Sequence, residues 1–344
     1  MLRDIAETLV ALALIAIVTL CGWEHAGKRL TLQRQQTEHQ PWNPPALNLA
    51  NTEWINPHSH QELKHLFDAY NYSWSTLDQG VPPIVLTSLP PDLNRMQTIS
   101  EKKHLFFLSM LPMIILVNEE IQLQRGILLD LLERFDRGEK LSFEQVVWLQ
   151  RIGKEYRAGR DPLHNDKVRD RLLRRIDTLP PSMVLAQAAN ESAYGTSRFA
   201  LLGNNLFGEW TFKPGSGIVP QGRPEGASYE VRRFPSVFES VKSYMRNLNT
   251  HQAYRPLRDE RARLRAEGRQ ITGLALAEGL GLYSERQDDY IREVKAIIKQ
   301  NRLPRVTSAT LRSEPMAEPS GTYRTTSFFQ PLPPLATFFL QTNP

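Results

Sequence analysis

Glu191 stands near the end of an apolar helical stretch, in PSMVLAQAANESAYGTSRFALLGNNLFGEW, residues 181–210. Val184, Ala188 and Glu191 follow at i, i+4 and i+7, so the acid falls on or beside the face that this helix buries. Gly195 is expected to stop the helix in the usual C-terminal manner. Beyond it come a short turn, the paired Asn204 and Asn205, a glycine, and the large aromatics Phe207 and Trp210. A carboxyl partly withdrawn from water keeps its proton to higher pH, because burial disfavours the charged form. An acid of that kind beside an aromatic-lined loop suits protonation of a sugar leaving group.

Glycoside cleavage usually needs a second group, either a nearby nucleophile or a more distant base for water. After Trp210 the chain changes character. GSGIVPQGRPEGASYEVRRF is glycine-rich, and SYEVRRF alternates in the strand manner, which predicts a small, partly β lobe over residues 209–234. That lobe offers Glu225 and Glu230, and Glu230 alternates within its strand as a solvent-facing residue would. Trp210, at the start of the lobe, is the better candidate for stacking on a sugar, whereas Phe207 also suits a core. Asn204 and Asn205 suit glycan hydrogen bonds and turn geometry equally. Tyr229 and Tyr254 are further cleft-lining candidates.

The elements that must position these groups are mostly helical. Ser59 and Glu62 make a capping box for a short helix through about Tyr70, and VPPIVLTSLPPDL is expected to be extended. Ser100 caps a long helix to about Arg137, whose segment 105–117 is too short to span a bilayer and reads as a buried helix kinked at Pro112. Ser142 with Gln145 opens a helix to about Tyr156, and a basic amphipathic helix covers Asn165–Thr178. After the lobe, helices are expected at Ser236–Leu248, Leu257–Glu267, Thr272–Gly279 and Asp288–Asn301. From Leu303 a Pro/Ser/Thr-rich tail is expected to be disordered.

The chain has 344 residues, enough for one well-filled domain plus extensions. Its 41% apolar content is that of a globular protein. The net charge of +5 favours anionic partners such as wall polymers, lipid headgroups or nucleic acid without selecting one. Cys21 is the only cysteine, which excludes an intramolecular disulfide and a cysteine-based metal site. No P-loop, dinucleotide fingerprint, histidine-rich metal motif or internal repeat is present. Residues 8–23, TLVALALIAIVTLCGW, read as a signal peptide or membrane anchor, although the basic residues that follow would, by charge alone, keep the body cytoplasmic. Residues 24–99 read as a polar, proline-containing tether that carries the short helix.

LAQAANESAYGTSRFA followed by NNLFGEW resembles the glucosaminidase family of peptidoglycan hydrolases. Its members share an AQAxxES helix end, a small–aromatic–Gly turn and an NNLFG segment. Later stretches, SVFESVKSYMRNL, NTHQAY and GLYSERQDDYIREVKAIIK, extend the resemblance over residues 100–301. Three positions depart from the pattern: ESAYG, with Ala193 and Tyr194, replaces the usual ESGWG, and Glu209 stands where members more often carry an apolar residue. The resemblance implies a mainly α, lysozyme-like domain with a small β-lobe beside the cleft, preceded by extra N-terminal helices and spanning residues 100–302. It implies cleavage of the β-1,4 bond after N-acetylglucosamine, with Glu191 as general acid and Tyr283 as the site tyrosine. Glu225, in the RPEGAS segment, resembles the family's mobile second glutamate. Peptidoglycan glycan strands are the implied partner, no cofactor or metal is implied, and no nucleic acid is expected. Access to that substrate calls for a periplasmic protein, attached to the inner membrane if the apolar segment is kept. A muramidase or lytic transglycosylase also uses a helix-end Glu followed by Ser, and a non-catalytic wall- or membrane-binding protein is the third reading.

Overall fold

The computed structural model describes residues 42–313. The apolar segment 8–23, Cys21 and the chain beyond 313 lie outside the described residues. Short strands β1 (Glu53–Ile55) and β2 (Ile84–Leu86) flank helix α1 (His60–Ala69). Then follow α2 (Ile99–Asp136), α3 (Phe143–Glu155), α4 (Asp166–Arg175), α5 (Pro181–Ser192) and α6 (Arg198–Gly203). Strands β3 (Trp210–Thr211), β4 (Gly217–Ile218) and β5 (Glu230–Arg232) come next. Helices α7 (Val237–Thr250), α8 (Arg255–Ala266), α9 (Gly273–Leu276) and α10 (Asp288–Gln300) complete the described order, with 3₁₀ turns between and after them. The architecture is mainly α with a small β-lobe.

The described chain falls into two compact units. One comprises Asn118–Thr178 and Arg246–Arg269, and the other Asn48–Val117, Leu179–Met245 and the residues from Gln270 onward. In the second unit β1 and β2 pair in parallel, with Trp54 opposite Val85. β5 is the central strand of the lobe, antiparallel to β3 on one side and β4 on the other.

Helix starts follow side-chain chemistry. Ser142 and Gln145 form the full reciprocal capping box of α3, while Asn165 and Ser197 cap α4 and α6. Ser59 accepts from the Glu62 amide as expected, but the Glu62 carboxylate turns to the amide of His58 at 2.8 Å. Residues 105–117 are core, with Phe106, Phe107, Met110, Leu111, Met113 and Ile114 fully buried. Pro112 lies inside α2 and has no N–H for the Leu108 carbonyl. The Tyr72 hydroxyl donates to that carbonyl instead, at 3.0 Å, so the helix continues with its freed acceptor satisfied.

Two expectations need correction. Residues 48–99 are not a tether. The apolar run at Val81, Ile84, Val85 and Leu86 is fully buried, and its strand pairs with β1. The chain after Leu303 is also ordered as far as 313. Leu303–Ser308 form a 3₁₀ turn whose Leu303 and Val306 are fully buried, and the Arg312 amide donates to Val81 O while the Val81 amide donates to Thr310 O. In both places apolar side chains had core to fill, which outweighed the local proline signal.

Candidate active site

α5 carries Glu191 out of the core. Ser182 through Ala189 are buried, and Val184, Gln187 and Ala188 are fully so. The helix ends at Ser192, three residues before the expected glycine. Ala193, Tyr194 and Gly195 then adopt left-handed φ values of 51°, 57° and 77° in succession. Such a run is costly for residues with a Cβ, and its local hydrogen bonds hold it. The Ser192 hydroxyl donates to Ala188 O at 2.6 Å and accepts from the Gly195 amide at 2.7 Å. The amides of Tyr194 and Ser197 donate to Ala189 O and Ser192 O. An added Cβ at Gly195 would lie 2.5 Å from the Leu89 side-chain end and 3.1 Å from the Phe106 ring, so these side chains would have to shift to admit it. Tyr194 itself packs edge-on against Phe106 and Phe107.

Glu191 is half-buried, and burial raises its pKa above the usual carboxylate range. Hydrogen bonds from Tyr290 and Asn190 and the charge of Arg286 pull the other way, and Glu293 adds to the rise. Arg286 is itself held in a two-point ion pair by Glu293, at 2.6 and 2.8 Å. The tyrosine belongs to a buried chain of polar groups. The Tyr244 hydroxyl donates to Gln187 Oε1, Gln187 Nε2 donates to the Tyr290 hydroxyl at 2.9 Å, and the Tyr290 O–H is directed to Glu191. Each member fixes the orientation of the next.

The NNLFG segment forms the adjoining wall. Gly208, at φ +69°, lies so close that an added Cβ would be 3.9 Å from Glu191 Oε2. The loop is held by Asn205, whose Nδ2 donates to the carbonyls of Glu209 and Arg232, both at 2.8 Å, and whose Oδ1 accepts from the Glu209 amide at 3.0 Å. Asn204 ends α6 in a left-handed conformation and donates to Phe234 O at 3.2 Å. The Phe207 ring is buried and stacked on Tyr244 at 3.7 Å. Asn204, Asn205 and Phe207 therefore support the loop from within rather than present side chains to a glycan. Tyr283 donates to Phe207 O at 3.0 Å and stacks on Tyr290 at 5.1 Å, which brings it to the same site.

The β-lobe contributes the remaining candidates. Trp210, 56% exposed, stacks on Tyr229 at 4.4 Å and 13°, leaving an aromatic face open. Glu225 is exposed on a turn before Gly226 and makes no hydrogen bond or ion pair with a described residue. Glu230 does not face solvent as its alternation suggests. The amides of Gly215 and Gly217 grip its carboxylate at 2.9 and 2.7 Å and hold its pKa below the usual range. Tyr254 belongs to the other compact unit, where it is buried. Among the described residues, no group of three or more His, Cys, Asp or Glu is gathered as a metal site requires.

Gln187 and Tyr290 are absent from the sequence reading, and Glu209 enters it only as a departure from the family pattern. Gln187 lies four residues before Glu191, on the same helix face, and that spacing was the available signal. Tyr290 gave no local signal. Glu209 was marked by its charge in an apolar position. Its Oε2 accepts from Ser243 at 2.8 Å and lies 3.5 Å from Arg232, whereas Oε1 is buried with no hydrogen-bond partner. Burial raises its pKa against the pull of both neighbours.

The family described as mannosyl-glycoprotein endo-beta-N-acetylglucosaminidase, the glucosaminidase family, matches residues 170–303. The chain is 33% identical over 211 residues to Protein bax of Escherichia coli (strain K12), an alignment covering 61% of this chain and 74% of that protein. Among solved structures, the catalytic domain of the autolysin Auto from Listeria monocytogenes is 18% identical. That alignment covers 51% of this chain and 95% of the domain, with a TM-score of 0.26.

Proposed function

The chain belongs to the glucosaminidase family and is a glycoside hydrolase, and from that premise we propose that it cleaves the β-1,4 bond after N-acetylglucosamine in peptidoglycan, with Glu191 as general acid. The observation that carries this reading is the setting of Glu191: a carboxyl whose pKa burial raises, at a helix end, against the backbone of Gly208. In the first half of the reaction Glu191 gives its proton to the glycosidic oxygen as the C–O bond breaks and positive charge develops on the sugar ring. The carboxylate so formed is received by the Tyr290 hydroxyl and the Asn190 amide, whose hydrogen bonds favour the charged form.

The second half needs an activated water or help from the substrate's own acetamido group. Glu225 can supply the base from its exposed turn, and Tyr283 can orient the acetamido group or stabilise the developing charge. The open face of the Trp210–Tyr229 pair suits stacking on a sugar ring. One observation favours a second reading. Among the described residues Glu225 has no partner that fixes it in place, and a lytic transglycosylase or muramidase mechanism with a single acid/base does not need it. Mass spectrometry of digested peptidoglycan separates these outcomes. Reducing-end N-acetylglucosamine supports the proposal, whereas reducing-end N-acetylmuramic acid or anhydro-sugars replace it with the second reading. Such a substrate puts the enzyme in the periplasm, with residues 8–23 as its signal peptide or inner-membrane anchor. A reporter fused after residue 60 should read as periplasmic, and a cytoplasmic result would leave the enzyme without its substrate.

A further inference from the structure

Away from the acid, the unit that contains α4 and α8 has a cavity of about 630 Å³. Its volume lies within the range of sites for small organic ligands, roughly 300–1,000 Å³. Six cationic side chains line it: Lys167, Arg171, Arg174, Arg175, Arg255 and Arg258. The lining includes two carboxylates, and both are already engaged. Asp170 pairs with Arg174 at 2.9 and 3.0 Å, while Asp259 is shared between Arg174 at 3.3 Å and Arg255 at 3.4 Å.

Arg171 and Arg175 have no carboxylate partner among the described residues, and Arg258 feels the charge of Asp259 without an ion pair or hydrogen bond to it. Each is anchored through one nitrogen to main-chain oxygens: Arg171 to Ala158, Arg175 to Tyr156 and Arg157, Arg258 to Leu248 and His251. Anchoring by a single nitrogen sets the direction of each guanidinium and leaves its other donors for another acceptor. Arg258 is only 4% exposed, so its charge is not dissipated by water. Burial and the neighbouring Arg175 and Arg255 pull its pKa down to about 10. Arg175 is lowered in the same direction by burial, Arg171 and Arg157. These cations press on one another, and an anion placed among them relieves that repulsion.

We propose that this cavity is a binding site for a diphosphate group, carried either on a soluble ester or on a lipid. Planar guanidinium forks match phosphate oxygens two at a time. A terminal phosphate carries more than one negative charge at neutral pH, so a diphosphate offsets more of the excess positive charge than two carboxylates would.

Calorimetric titration of the full chain with inorganic pyrophosphate, using sulfate as control, tests the site. The expected result is saturable one-to-one binding, tighter for pyrophosphate than for sulfate by about tenfold or more. The double variant Lys167→Gln with Arg171→Gln should weaken it by at least about tenfold. Lys167→Glu, at an exposed residue with no described partner, gives an independent reading if the double variant folds poorly. Absence of binding, equal affinity for both anions, or undiminished binding by the variants overturns the proposal. A vesicle arm separates the sources. Sedimentation with phosphatidylcholine vesicles bearing a lipid diphosphate, competed away by pyrophosphate, assigns the site to a lipid-borne group. Pyrophosphate binding without sedimentation assigns it to a soluble one. Equal capture by phosphatidylglycerol vesicles, unaffected by pyrophosphate, reduces it to diffuse charge and overturns the assignment.

Discussion

Asp177, buried just past α4, draws Arg265 at 2.6 and 2.9 Å, Arg261 at 3.7 Å and Arg125 at 4.0 Å, whereas Glu191, half-buried at the end of α5, draws a phenol and an amide. Around Asp177 the partners are themselves tied down. Arg261, 1% exposed, donates to the carbonyls of Arg174, Asp177 and Thr178, and Asn249 bonds both Arg261 and Asp177 O. A buried charge surrounded by opposite charge and saturated hydrogen bonds is a structural joint. A buried carboxyl whose one nearby cation is already paired has a cheaper course, which is to keep its proton. Partner chemistry, more than burial alone, separates the carboxyl that holds the fold from the one that can do acid chemistry.

The largest expected effect lies on the structural side. Asp177→Ala strands Arg261 without its carboxylate and should cost about 3–5 kcal/mol in denaturant unfolding. A loss below 1 kcal/mol would erase the distinction drawn between the two carboxyls.

On the catalytic side, Tyr290→Phe keeps the ring stack with Tyr283 but removes the hydroxyl that bonds Glu191. Turnover should fall about tenfold, the scale of one lost hydrogen bond to a charged group. That hydrogen bond lowers the Glu191 pKa, so its removal should move the basic limb of the kcat/KM profile to higher pH. An unmoved limb would detach Tyr290 from the acid.

The smallest effect concerns Glu209. Its protonated form is favoured in the folded state, so its contribution to stability is complete below the ordinary glutamate pKa and is lost as pH rises through the raised one. Glu209→Gln should therefore stabilise the protein at neutral pH by about 1 kcal/mol, the order of an unsatisfied buried oxygen. That gain should fade as pH falls toward the usual glutamate range, which thermal melts across pH would show.

The parts legible in the sequence were those written locally. The apolar spacing of Val184 and Ala188 placed Glu191 at the rim of a buried face, and the Ser142, Asn165 and Thr272 caps mark real helix starts. Alternation in SYEVRRF located β5 but not the clasp on Glu230, which depends on amides 13 and 15 residues away. Gln187 and Tyr290 meet across 103 residues of chain, a pairing that no local pattern encodes. Glycine is the default left-handed residue and points to an end at Gly195, whereas α5 ends earlier because Ala193 and Tyr194 take that conformation first. Residues 303–313 read as tail because they run into a Pro/Ser/Thr-rich stretch, yet Leu303 and Val306 are buried and the segment is ordered.

We propose above all that Glu191, whose pKa burial raises, is a general acid and not a structural carboxylate. The direct test is Glu191→Gln, measured for peptidoglycan turnover and for thermal stability at neutral pH. Loss of a general acid should reduce turnover by about 10²–10⁴-fold. Because burial already disfavours the charged form, the melting temperature should stay level or rise. Retained turnover, or a fall in stability of the size expected at Asp177, would contradict the account.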